Sequence, residues 1–187
     1  MISRMLTESD FGKKNSFRYC GNIVPLNIQK NININKINKI SEEIISKFNL
    51  IGSNGIDMII DKTKPMNEPH IIEVNPRFQG TYECIEEIFG INLLDAHIKA
   101  YNGKLISIPK AQDNKYSIKR VIYSDERIKV GNISINNNIY DIPFKEVIIE
   151  KDEPLVSIIT PKNKIEDAEN IVNDSIKKVN ENIVSIS

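Results

Sequence analysis

Residues 55–60 read GIDMII and residues 70–81 read HIIEVNPRFQGT, and the segment between them is polar and contains two prolines. Two apolar runs separated by turn-forming residues are typical of neighbouring antiparallel strands. The sequence therefore predicts a β-hairpin with its turn centred on Pro65.

Three oxygen-bearing side chains are predicted to converge on the hairpin. A turn centred on Pro65 places Asp57 opposite Glu73, and Asn75 shares the face of Glu73 because side chains alternate along a strand. Two like charges facing each other destabilise a sheet unless something offsets their repulsion. A divalent cation would do so, because Mg²⁺ takes hard oxygen ligands and commonly binds one or two protein carboxylates. The alternative is a solvated face on which each acid points at water.

The residues around these polar groups favour the metal site over the solvated face. Pro76 and Arg77 follow at the strand end, where a guanidinium can meet phosphate or carboxylate oxygens. The apolar residues of both runs predict strands that are largely buried; they are Ile56, Met58, Ile59, Ile71, Ile72 and Val74.

Composition restricts the function classes. The chain has 187 residues, with 25 Lys and Arg against 25 Asp and Glu, so its net charge gives no general attraction to nucleic acid or to an anionic membrane. Cys20 and Cys84 are far apart and form no CxxC pattern, which predicts buried free thiols in a reducing compartment. No apolar run approaches the roughly 20 residues that span a bilayer. We expect a cytoplasmic protein with no nucleic-acid or membrane partner.

The remaining sequence predicts an α+β fold. Apolar residues at helical spacing indicate four helices, at residues 32–50, at 82–89, from an Asn92 cap to Gly103, and at 164–184. Beyond a polar boundary at 109–114, short strands are expected to form a small, mostly antiparallel sheet; they are 116–123, 128–130, 133–135, 147–150 and 155–160. We interpret His97 as a packed or surface residue rather than a catalyst.

The segment EVNPRFQ at 73–79, followed by a helix and by FGINLL at 89–94, resembles the C-terminal part of the ATP-grasp fold. It is similar in particular to biotin carboxylase, to carbamoyl-phosphate synthetase and to archaeal ATP-grasp proteins described as predicted carboligases. The resemblance implies an antiparallel sheet with packed helices at residues 1–110, as the C-terminal half of an ATP-grasp domain. A small α+β subdomain would then follow at 111–187.

The resemblance also implies roles for individual residues. Asp57, Glu73 and Asn75 match Mg²⁺ (or Mn²⁺) ligands that bind ATP through the metal, and Gln79 matches a further polar position of the cofactor site. Arg77 matches the catalytic arginine that contacts the substrate or an acyl-phosphate intermediate. The implied reaction is ATP-dependent ligation of a small carboxylate to an amine or related nucleophile. Biotin carboxylase keeps a glutamate base where this chain has Thr81, which argues against biotin carboxylation itself.

The family's ATP-gripping lysines and glycine-rich loop are not recognisable in this sequence. The chain is then expected to be a fragment, a truncated gene product or one subunit of a split enzyme whose N-terminal half is a separate partner. A homo-oligomer is a further possibility. The alternative to a ligase is a catalytically inactive remnant of the fold that acts as a binding or interaction module.

Overall fold

The computed structural model describes residues 1–26, 32–61, 63, 68–107, 109, 115–133 and 137–186. Four α-helices lie in these ranges: α1 (Ile34–Lys47), α2 (Tyr82–Phe89), α3 (Leu93–Tyr101) and α4 (Ile165–Asn180). The strands are β1 (Arg4–Thr7), β2 (Tyr19–Val24), β3 (Gly55–Asp61), β4 (Glu68–Asn75), β5 (Tyr116–Tyr123), β6 (Ile128–Val130), β7 (Ile139–Tyr140), β8 (Ile148–Ile149), β9 (Pro154–Lys162) and β10 (Ile183–Ser185).

The chain forms two compact units that alternate along the sequence. The sheet unit comprises Met1–Leu26, Glu83–Phe89 and Lys110–Ser187, and the hairpin unit comprises Asn27–Tyr82 and Gly90–Pro109. The α+β fold class is confirmed. The division at residue 110 into a part of the ATP-grasp domain and a C-terminal subdomain stays a prediction, since the compact units follow packing rather than linear order.

The sheet unit is built on a five-stranded antiparallel sheet in the order β1-β2-β5-β9-β7. Ile158 packs in one apolar cluster with Ala168 and Val172 of α4, whereas its neighbour Ile159 packs in another with Ile88 of α2. Because adjacent strand residues point to opposite faces, the two helices cover opposite faces of this sheet. A second, three-stranded sheet has the order β10-β6-β8.

The structure corrects several predicted elements. The strands of the second half do not all share one sheet, because β5, β7 and β9 join β1 and β2, whereas β6, β8 and β10 form the three-stranded sheet. The predicted strand at 133–135 is wrong at Ile133, which lies outside any strand, and residues 134–136 lie outside the described part. The last helix ends at Asn180 rather than 184, and the chain then continues as β10.

Local signals were reliable where a side chain closes a helix end. The Asn92 side-chain oxygen accepts a hydrogen bond from the Asp95 backbone N–H at 2.7 Å, which confirms the predicted cap of α3.

Cys20 and Cys84 are free and buried, as expected. Burial raises the pKa of the Cys84 thiol to about 11, so this cysteine is held as a neutral, unreactive core residue.

A buried carboxylate holds the loop that joins β1 to β2. The Glu8 side chain accepts hydrogen bonds from Lys13 Nζ at 2.9 Å and from Ser16 Oγ at 2.6 Å, and Arg18 Nη1 lies 3.5 Å away. The hydrogen bond from Ser16, followed by that from Lys13, holds the pKa of Glu8 below its ordinary value of 4.5.

This arrangement predicts a pH-dependent contribution to stability. Because the folded-state pKa of Glu8 is lowered, its contribution is present above pH 4.5 and is lost as the pH falls through the folded-state pKa. A Glu8→Gln variant is therefore expected to melt at a lower temperature than the wild type at pH 7, and the difference should disappear in strong acid. Thermal melts followed by circular dichroism across this range would check it, and a pH-independent difference would contradict it.

Candidate functional site

The hairpin of β3 and β4 has the predicted register at its open end. Asp57 pairs with Glu73, and Gly55 pairs with Asn75. A β-bulge between Asp57 and Met58 then shifts the pairing by one residue, so that Met58 faces Ile71. The predicted turn at Pro65 lies outside the described residues. The facing carboxylates are thus confirmed, and the bulge is a feature that the alternation pattern alone did not indicate.

The structure brings Asp57, Glu73 and Asn75 together. Asn75 Nδ2 donates to Glu73 Oε1 at 2.7 Å and to Asp57 Oδ2 at 3.3 Å. Asp57 and Asn75 are half-buried, and Glu73 is exposed. One amide therefore bridges two carboxylates, with the cluster open to solvent on the Glu73 side.

The two carboxylates differ in their affinity for protons. Burial raises the pKa of Asp57, and the hydrogen bond and negative charge of Glu73 raise it further. The pKa of Glu73 is lowered, first by the hydrogen bond from Asn75 and then by the one shared with Asp57. A facing pair of like charges behaves in this way when one proton is shared between them. A cation bound between the carboxylates would remove the same repulsion.

Arg77 and Gln79 belong to the loop that leaves β4. Arg77 is exposed, and its charge lowers the pKa of both Asp57 and Glu73. Gln79 Nε2 donates to two main-chain carbonyls, Asn75 O at 3.1 Å and Arg77 O at 2.8 Å. Its amide nitrogen thus stabilises the loop, and any ligand contact falls to its side-chain oxygen.

Gly55 allows this arrangement at the start of β3. A Cβ atom at position 55 would lie 2.2 Å from Cδ of Gln79. The glycine therefore lets the Gln79 side chain lie directly against the strand opposite Asn75. The family resemblance placed Gln79 in the cofactor site, and no sequence pattern predicted its contact with Gly55.

The prediction that both hairpin strands are largely buried is wrong. Ile59 and Ile72 are each 59% exposed, and Ile71 is also exposed. Apolar strand residues are buried only where another layer covers them, and the hairpin forms a two-stranded sheet. Among the described residues of the hairpin unit, Ile37 of α1 is the only one that is buried.

The chemistry of the cluster suits a hard divalent cation. Two carboxylates and one amide oxygen are ligand types that Mg²⁺ accepts, with phosphate oxygens and water completing its shell. Asn75 presents its nitrogen to the carboxylates, so its amide would have to turn over to offer Oδ1 to a metal. Within the part of the chain that the structure describes, no three His, Cys, Asp or Glu side chains form a metal site. The candidate therefore depends on Asn75 as the third ligand.

A comparison with domain families identifies the family that this part of the chain matches. Residues 3–81, which include all five predicted site residues, match the ATP-grasp domain family. The resemblance carried by the EVNPRFQ segment is confirmed for residues 3–81, and the candidate metal cluster lies within these residues.

Individual relatives extend the comparison beyond residue 81. An uncharacterized protein of Methanocaldococcus jannaschii is 38% identical over 146 residues, which are 78% of this chain and 34% of that protein. A complete multifunctional pyruvate carboxylase from Rhizobium etli superposes with a TM-score of 0.70 at 17% identity, over 94% of this chain and 19% of the carboxylase. The biotin carboxylase domain of Hydrogenobacter thermophilus 2-oxoglutarate carboxylase, in complex with MgADP, ADP and bicarbonate, gives 0.63 at 15% identity over 86% and 38%.

These likenesses differ in what they establish. At 17% identity or less, the two carboxylase structures show the fold alone, which is that of the corresponding part of biotin carboxylase. The chain spans about a third of the length of the archaeal relative. No helix in the described ranges is long and apolar enough to cross a membrane.

Proposed function

We propose that this chain is the metal-binding part of an ATP-dependent carboxylate ligase. The observation that carries the proposal is the convergence of Asp57, Glu73 and Asn75, with one amide bridging two facing carboxylates. Its position inside the segment that matches the ATP-grasp family supports the proposal. The substrates would be ATP and a small carboxylate, with an amine or related nucleophile as acceptor.

The proposed reaction has two steps. A carboxylate oxygen forms a bond to the γ-phosphorus of ATP while the bond to the β–γ bridging oxygen breaks, which gives an acyl phosphate and ADP. The nucleophile nitrogen then bonds to the acyl carbon, phosphate leaves with its electron pair, and the nitrogen loses a proton. Bound Mg²⁺, or Mn²⁺ in its place, would neutralise charge on the transferring phosphoryl group.

The residues of this chain would have separate roles. Asp57, Glu73 and Asn75 would hold the metal, and Gln79 would add a polar contact through its side-chain oxygen. The Arg77 guanidinium would bind the oxyanion of the carboxylate or acyl phosphate. Support for this role is that Arg77 is exposed beside the cluster and already lowers the pKa of both acids.

We further propose that additional polypeptide supplies the groups that would bind ATP on the side away from the metal cluster. The archaeal relative is about three times as long as the region it shares with this chain. The exposed apolar side chains of the hairpin unit, such as Ile59 and Ile72, are consistent with a surface that further polypeptide covers. A separate N-terminal subunit would cover this apolar surface. The alternative is that a second copy of this chain covers it. The buried free thiols are consistent with a cytoplasmic location.

Calorimetric titration with Mg-ATP tests the proposal. The wild-type chain is expected to bind with measurable affinity, and Asp57→Ala, Glu73→Ala and Asn75→Ala should each weaken nucleotide-dependent Mg²⁺ binding at least tenfold, or about 1.4 kcal/mol. An Asp95→Ala variant, which removes an exposed acid of α3, is the matched control and should bind as the wild type does.

The outcomes separate the two candidate functions. Unchanged Mg²⁺ binding in all three site variants would overturn the metal assignment. Micromolar affinity of the wild-type chain for Mg-ATP would contradict an inactive remnant that cannot hold ATP, whereas no binding even with a co-expressed N-terminal partner would favour such a remnant.

A further inference from the structure

His97 connects two segments that adjoin the candidate metal cluster. It lies on α3, and its Nδ1 accepts a hydrogen bond from the Ser53 backbone N–H at 2.9 Å. Ser53 stands two residues before β3 begins at Gly55. The imidazole therefore holds the backbone that leads directly into the strand carrying Asp57.

The other side of the same ring contacts the loop that leaves β4. The His97 and Phe78 ring centroids lie 4.8 Å apart at an angle of 42°, and Tyr101 packs on His97 at 5.1 Å. Phe78 directly follows Arg77. Tilted ring contacts of this kind stabilise the packing beyond simple burial.

Gly52 makes the close approach of His97 possible. Its φ is +77°, and a Cβ atom there would lie 2.3 Å from His97 Nδ1. Position 52 therefore requires glycine for two reasons: its φ is positive, and a side chain would clash with the imidazole. A side chain at position 52 would therefore push the imidazole away from Ser53.

The geometry of the hairpin explains why contacts are needed to hold its two strands together near the cluster. The cluster lies where β3 begins and β4 ends, at the open end of the two strands, beyond a bulge. A two-stranded sheet is marginally stable by itself, and its open end frays first. A side chain that contacts both the residues before β3 and the residues after β4 would hold the cluster together.

We infer that His97 is a positioning residue for the metal cluster. It sets the distance between Asp57 on β3 and Asn75 with Arg77 at the end of β4, without contacting the metal or substrate itself. The inference rests on the proposed function, because that function gives the cluster its task. The sequence predicted this histidine to be a packed or surface residue, and the inference gives it a role.

Two substitutions separate the contacts that His97 makes. His97→Phe keeps a ring against Phe78 but removes the acceptor for the Ser53 N–H. His97→Asn keeps an oxygen near the position of Nδ1 but removes the ring contacts. Ile98→Ala is the matched control, because the neighbouring Ile98 side chain is 53% exposed on the same helix.

Two readouts test the inference in the full chain. In metal-free, ¹⁵N-labelled protein, His97→Phe should shift the side-chain amide signals of Asn75, which report its bonds to both carboxylates. Its affinity for Mn²⁺ should fall about tenfold, as is typical when a group that orients a ligand is lost. His97→Asn should retain part of that affinity, and Ile98→Ala should change neither readout.

A purely structural role would give a different pattern. If His97→Phe lowers the melting temperature but leaves the Asn75 signals and the Mn²⁺ affinity unchanged, the inference is overturned. Should the phenylalanine variant not fold, wild-type values of both readouts in His97→Asn, despite loss of the ring contacts, would overturn it equally. Failure of the proposed function is distinguishable: wild-type protein would then bind no Mn²⁺, or Asp57→Ala would bind it normally, while the Asn75 signals still decide the role of His97.

Discussion

An Asp57→Asn variant is expected to be more stable than the wild type without metal and to lose most of its affinity for Mn²⁺. The substitution removes one of two facing like charges, and the new amide can donate a hydrogen bond to Glu73. Relief of the repulsion should stabilise the metal-free protein by about 0.5–1 kcal/mol. Loss of an anionic ligand should weaken Mn²⁺ binding by roughly a hundredfold or more, because the loss of an outer-shell partner alone costs up to that much. Metal-free melts and Mn²⁺ titration measure the two effects.

A second aspartate in the same strand, Asp61, provides a control for which the opposite change in stability is expected. Asp61 accepts hydrogen bonds from the Thr63 backbone N–H at 2.9 Å and from Thr63 Oγ1 at 2.6 Å, and the hydroxyl bond is the main reason its pKa is lowered. Asp61→Asn should therefore reduce stability and leave Mn²⁺ affinity unchanged. If Asp57→Asn destabilises the metal-free protein as Asp61→Asn does, the facing acids are an ordinary structural pair rather than a cluster held for a cation.

A Gly21→Ala variant is expected to disrupt the five-stranded sheet. Gly21 lies on the internal strand β2, opposite Arg120 of β5, with φ at +127°. A Cβ atom there would lie 1.9 Å from the Lys119 carbonyl oxygen, which is backbone and cannot rotate away. Strain and overpacking together should cost about 3–5 kcal/mol. For a chain of this size, that lowers the melting temperature by roughly 10 °C or prevents folding.

Gly12 separates the two sources of that cost. Its φ is +93°, but a Cβ atom there would meet nothing within 4 Å. Gly12→Ala should therefore cost only the conformational strain, about 1–2 kcal/mol. Equal melting temperatures for the two variants would show that the close approach of β2 to β5 is not what requires glycine at position 21.

Much of the hairpin could be predicted because its determinants are local. Alternation along each run and the prolines between them were enough to place Asp57 opposite Glu73, and the observed register agrees at that pair. The helix caps are equally local, since Asn92 bonds to a backbone N–H only three residues away. The α+β class and the ATP-grasp resemblance followed from the same short segments.

Features that depend on distant parts of the chain could not be predicted in this way. Alternation cannot show which face a second layer will cover, so Ile59 and Ile72 were expected to be buried and are exposed. The bulge after Asp57 changes the register without a glycine or proline to signal it. The assignment of Asp57, Glu73 and Asn75 to a metal, and of Arg77 and Gln79 to the reaction, stays a prediction.

The sequence by itself determined the hairpin, the facing of its two acids and the family segment in which they lie. These features depend on residues a few positions apart or on a turn that joins neighbouring strands. Only the tertiary structure decided that β1 and β2 complete a sheet with β5, and that His97 meets Ser53 from 44 positions away. Such contacts form when packing brings distant segments together, and no local propensity encodes which segments those are.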